Sequence, residues 1–79
     1  MFHMEAQRLT NGAAVAALRE ALGIKQVELA ARCDISPPFL SNIEAGRKQP
    51  GPKTARALAD ALGCPLSAIT YPALSRTAA

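Results

Sequence analysis

What most constrains this chain is its punctuation: apolar runs at helical spacing are each stopped before they grow long. Gly23, Asp34, Gly46 and Gly63 follow such runs, and Asn11, Ser36 and Pro52 stand where the next helices can begin. Glycine suits the left-handed residue past a helix end, an asparagine or serine oxygen caps free N–H groups at a start, and proline at a first helical position gives up no hydrogen bond. A chain cut this way cannot form a long coiled coil or a membrane-spanning helix. At 79 residues it has room for one small core, around which several short helices must pack.

The faces follow from the spacing. With Thr10 or Asn11 as cap, a first helix puts Ala14, Val15, Leu18, Ala21 and Leu22 on one stripe and ends at Gly23. A short second helix carries Val27, Leu29, Ala30 and Cys33 inward, with Ile24 leading in. Ser36 caps a third, which opens on Pro37 and Pro38, buries Leu40 and Ile43 and ends at Gly46. A fourth begins at Pro52, turns Ala55, Leu58, Ala59 and Leu62 inward and stops at Gly63. One more turn fits between Pro65 and Ile69. The expectation is an all-α fold, a compact cluster of four to five helices over residues 11–70, with a flexible arm at 1–10 and a flexible tail at 71–79.

Composition agrees with tight helix packing. Alanine makes up 17 of the apolar residues, aromatics are limited to Phe2, Phe39 and Tyr71, and nine leucines and four isoleucines must build the core. The net charge of +3 and pI near 9.3 bias the chain toward an anionic partner. Cys33 and Cys64 are far apart, and His3 is the only histidine, so no zinc site is expected and both thiols read as small apolar residues. Without clustered carboxylates or a glycine-rich phosphate loop, the chain is expected to be no enzyme, to need no cofactor and to take no small-molecule ligand. With neither a secretory leader nor a membrane span, it is expected in the cytoplasm.

The second helix, the turn Cys33-Asp34-Ile35 and the third helix meet the steric demands of a helix-turn-helix. Ala30 is small where two steeply crossing helices leave no room. Leu29, Cys33, Ile35, Leu40 and Ile43 can fill the wedge between them. Asp34 sits where the turn needs a left-handed backbone, which aspartate accepts better than most residues.

From about Ala14 to Ile69 the chain resembles the Cro/CI-type (XRE-like) helix-turn-helix family of phage repressors, Cro proteins and small bacterial regulators. The resemblance is carried by LREALGIKQVELAARCDISPPFLSNIEAGRKQP and the later ALADALG, in which the gaps between Arg19, Gln26, Ala30, Ser36, Glu44, Gly46 and Pro50 agree together. It implies a λ-repressor-like domain that binds double-stranded operator DNA in a sequence-specific way as a transcription regulator, a repressor in the first instance, with its third helix in the major groove. A module of this family acting mainly through a protein partner, of antitoxin or anti-repressor type, is the alternative.

The outward residues near the start of the third helix, Pro37, Pro38, Ser41 and Asn42, are the candidate base contacts. Many relatives carry glutamine or another polar residue where the prolines stand. Rigid apolar rings can touch thymine methyls, which leaves Ser41 and Asn42 as the polar readers, Asn42 being suited to adenine. The resemblance puts Gln26 on a phosphate, with Lys25, Arg47, Lys48 and Lys53 around it. Phe39 lies beside the reading face, placed either along the sugar-phosphate backbone or against the fourth helix. The resemblance also makes Arg19 and Glu44 a largely buried structural ion pair. One such module reads only a half-site, so a homodimer at least on DNA is expected, with a thin apolar set at Leu66, Ile69, Tyr71 and Leu74 for its interface.

Overall fold

The computed structural model describes residues 8–73. In chain order it contains strand β1 (Arg8–Thr10), helices α1 (Gly12–Ala21), α2 (Gln26–Arg32), α3 (Pro37–Glu44) and α4 (Pro52–Leu62), a 3-10 turn at Leu66–Ala68, and strand β2 (Thr70–Pro72). The body is all-α, as the punctuation predicts. Among the described residues no helix is long and apolar enough to cross a membrane.

The helix ends show why the sequence breaks where it does. Asn11 Oδ1 accepts the Ala14 N–H at 3.1 Å, and Ser36 Oγ accepts the Phe39 N–H at 3.2 Å, so each side chain satisfies a donor that the helix cannot. Pro37 and Pro38 occupy the first positions of α3, and Pro52 opens α4. Asp34, with φ of 58°, is the left-handed residue of the α2–α3 turn. Its neighbour Ile35 then returns its N–H to the Ala30 carbonyl at 3.0 Å, which fixes the turn's tightness.

Val15, Leu29, Leu40, Ile43, Leu58 and Ile69 form the fully buried centre, with Ala30 buried at the α2–α3 contact. All four expected inward residues of α4 are buried: Ala55, Leu58, Ala59 and Leu62. The buried stripe of α1 is shorter than the spacing predicts: Ala21 closes the helix and Leu22 caps it, and both are exposed. Val27 is likewise exposed on α2. Gly12 is buried against α3, and a Cβ there would run into the Ile43 carbonyl oxygen. It therefore sets the approach of α1 to α3 and is more than the opening residue of a helix.

The ends of the fold differ from expectation. Arg8–Thr10 and Thr70–Pro72 are paired antiparallel, with Leu9 opposite Tyr71, so the arm up to Thr10 and the tail from Tyr71 are not loose throughout. Arg8 donates from Nε to Thr70 Oγ1 at 2.7 Å, and the Thr70 hydroxyl in turn donates to the Leu66 carbonyl at 2.8 Å. Gln49 completes the arrangement by acting as a strand neighbour: its Oε1 accepts the Thr10 N–H at 2.8 Å and its Nε2 donates to the Thr10 carbonyl at 3.0 Å. Ile69 belongs to the core and is unavailable to an interface. Residues 1–7 of the expected arm and 74–79 of the expected tail, Leu74 among them, lie outside the described residues. Cys33 is buried, which pushes its thiol pKa up against a smaller opposing effect of the Arg32 charge, and Cys64 is partly exposed.

Candidate nucleic-acid interface

Successive α-helical residues are about 100° apart, which divides the short α3 into two unlike sides. Leu40 and Ile43 face the core, with Phe39 at the edge of that arc and half-buried against it. Pro37 and Pro38 are exposed, and Ser41 and Asn42 are partly exposed, so the four candidate base contacts share the solvent side. Phe39 is half-buried against the core, the packing arrangement of the two that the sequence left open, and its ring has no donor to offer a phosphate.

Glu44 fixes one edge of α3 to the rest of the molecule. Arg19 of α1 donates to it twice, Nε to Oε2 at 2.7 Å and Nη2 to Oε1 at 3.1 Å, and sends Nη1 to the Ile24 carbonyl at 2.9 Å. Gln26 of α2 adds Nε2 to Glu44 Oε1 at 2.9 Å. The side chains of Arg19 and Glu44 are 13% and 7% exposed, so the pair is held away from water and joins three helices at one carboxylate. The hydrogen bond to Glu44 raises the Arg19 pKa above its already high value, against the opposing effect of burial, and the nearby Glu44 and Glu20 charges raise it further. No buried side-chain polar atom among the described residues lacks a partner. This is a scaffold for α3, consistent with the expected structural pair.

Asn42, two residues earlier and so about 200° round the helix, makes a different contact. Its Oδ1 accepts Arg47 Nε at 2.9 Å in a solvent-exposed bond. The backbone follows the same route, since the Arg47 and Lys48 N–H groups both reach the Asn42 carbonyl, at 2.9 and 3.2 Å. Gly46, with φ of 81°, lets the chain reverse there. The loop that carries Arg47 and Lys48 is thus held by Asn42 at its start and by the Gln49–Thr10 exchange at its end. Lys25, Lys48 and Lys53 are exposed and make no ion pair among the described residues. The solvent side of α3 is uncharged; Arg47 and Lys48 sit in the loop that follows it, Lys25 just before α2 and Lys53 in the first turn of α4.

A family model described as helix-turn-helix (HTH_3) matches residues 15–69. The chain belongs to this helix-turn-helix family. The immunity repressor protein of Bacillus phage phi105 is 38% identical over 61 residues, which are 77% of this chain and 42% of that protein; the chain spans less than half of that relative's length. Among solved structures, the clp gene regulator ClgR from Corynebacterium glutamicum superposes with a TM-score of 0.69 at 34% identity, over 71% of this chain and 60% of that one. The P22 c2 repressor, solved in complex with a synthetic operator, gives 0.70 at 28% identity, over 73% and 88%. The resemblance to Cro/CI-type regulators therefore holds for both family and fold.

Several contacts of this helix-turn-helix were not anticipated: the amide of Gln26 on Glu44, the Arg47–Asn42 bond and the Gln49–Thr10 exchange. The resemblance puts Gln26 on a phosphate, yet one of its two amide hydrogens is committed to the ion pair. The spacing from Gln26 to Glu44 carried a signal for the first contact, whereas the second depends on how the chain turns at Gly46. Nothing local to Gln49 points to a partner 39 residues away.

Proposed function

We propose that the chain is a DNA-binding transcription regulator of repressor type, which reads the major groove of duplex DNA with the solvent side of α3. The observation that carries this reading is the division of α3: Glu44 is locked into the scaffold, while Pro37, Pro38, Ser41 and Asn42 face outward and the loop bearing Arg47 and Lys48 is bonded back to Asn42. Uncharged short side chains can approach base edges, and the exposed cations can neutralise phosphates. Pro37 and Pro38 offer flat apolar contact to thymine methyls, and Ser41 and Asn42 supply the hydrogen bonds. Gln26 has one amide hydrogen left for a phosphate, which would link the scaffold to the DNA backbone.

The P22 c2 repressor was solved on operator DNA, and by analogy this chain would take a half-site per copy. A two-fold pair places its recognition helices about 34 Å apart on one face of the duplex, so the operator would be an inverted repeat. With Ile69 in the core, the apolar interface set reduces among the described residues to Leu66 and the exposed Tyr71. The pair is read as forming at least on DNA. Selection of bound duplexes from a random pool tests the reading: an enriched inverted repeat with half-sites about ten base pairs apart is expected. A pool that yields no enriched sequence contradicts it.

A further inference from the structure

We propose that Arg47 is a positioning residue for base recognition, which turns Asn42 into a hydrogen-bond donor and so favours guanine over adenine at the base it faces. The inference rests on the reading of α3 as the base-contacting helix and assigns one position of its site.

An arginine side chain has only donors, so the Asn42 atom at 2.9 Å from Arg47 Nε must be the amide oxygen. The amide orientation follows from this chemistry, and the Asn42 NH2 group is left as the free end. The backbone keeps Arg47 beside Asn42, because its own N–H is bonded to the Asn42 carbonyl where the chain turns at Gly46. Backbone and side chain of Arg47 thus converge on the same residue.

An isolated asparagine pairs with adenine by using both ends of its amide, the oxygen accepting from N6 and the nitrogen donating to N7. Here the oxygen is engaged by a cation, whose positive charge beside it opposes the approach of a further N–H donor. The remaining NH2 matches an edge that only accepts. In the major groove guanine presents two adjacent acceptors, N7 and O6, where adenine presents one acceptor and one donor. Arg47 keeps further N–H groups that can lie on a phosphate while Nε holds Asn42, so it joins the backbone contact to base choice.

The test is the same random-pool selection performed with the wild-type chain and the Arg47→Ala, Asn42→Ala and double variants, each checked by thermal melting. The bonds from the Arg47 and Lys48 backbone survive Arg47→Ala, so the fold is expected to melt as the wild type does. Wild type should enrich guanine at one position per half-site. Asn42→Ala should make that position degenerate, and Arg47→Ala should move it toward adenine, a change of about tenfold in the guanine to adenine ratio. The double variant should match Asn42→Ala at that position. Adenine in the wild-type site overturns the proposal. So does an Arg47→Ala site with unchanged base preferences, whose only changes are uniform weakening and a salt slope lowered by about one, because that is an independent phosphate contact. If the wild type enriches no site at all, it is the reading of α3 as a DNA-binding helix that has failed.

Discussion

Two arginines donate to oxygens of α3, and their surroundings give them opposite consequences. Arg19 holds Glu44 in a bidentate pair that is nearly sealed from solvent, shared with the Ile24 carbonyl and the Gln26 amide. Arg47 holds Asn42 by one exposed bond. In the first case, loss of one partner leaves a charge without water to replace it. In the second, water takes over at little cost to the fold. The difference teaches that burial, not the kind of hydrogen bond, separates the edge of α3 that anchors it from the edge that stays open to solvent.

The largest effect is expected from breaking the buried side. Arg19→Met should destabilise the fold by about 3 to 5 kcal/mol, because it strands the Glu44 carboxylate. Adding Glu44→Leu should recover much of that loss, and thermal melts of both singles and the double measure the coupling. Strict additivity would show that the two residues stabilise the fold separately. Gly12→Ala tests the same α1–α3 seam by crowding: the added Cβ meets the backbone carbonyl of Ile43, which cannot rotate away. A loss of about 1 to 3 kcal/mol is expected in denaturant unfolding, and no loss would mean that the helices can part freely there.

The exposed side should respond in binding and leave melting unchanged. Asn42→Ala is expected to weaken a selected duplex by about 1 to 3 kcal/mol and to relax one base position. If it altered the melting temperature as Arg19→Met does, the contrast between the two edges would collapse. Lys48→Ala should have the smallest effect. It is expected to weaken all duplexes about equally and to lower the magnitude of the log–log salt slope by about one, as a single phosphate contact would.

Most of the helical frame was legible in the sequence because its determinants are local. Asn11 and Ser36 cap as their positions predict, Asp34 takes the left-handed turn, and the spacing in α4 marks all four of its buried residues. The Arg19–Glu44 pair was legible through the family's spacing. The strands were not, since three-residue segments such as RLT and TYP carry no period. They are specified by contacts from Arg8 to Thr70 and from Thr10 to Gln49, across separations of 62 and 39 residues. Leu22 shares the Val15 side by spacing yet falls just past the end of α1, and Val27 lies about 160° round α2 from Leu29, so apolar character alone is no guide to burial there. At the candidate site, face membership was readable and the connection between Asn42 and Arg47 was not, because it depends on how the chain turns at Gly46.

Titration of wild-type binding to a selected duplex against salt tests the central claim most directly, the proposal that the exposed cationic side chains hold the chain on the DNA backbone. If six or more phosphates are neutralised per bound dimer, the log of the affinity should fall linearly with the log of salt, losing about three to five powers of ten between roughly 50 and 200 mM. An affinity that stays nearly constant over that range would contradict the account.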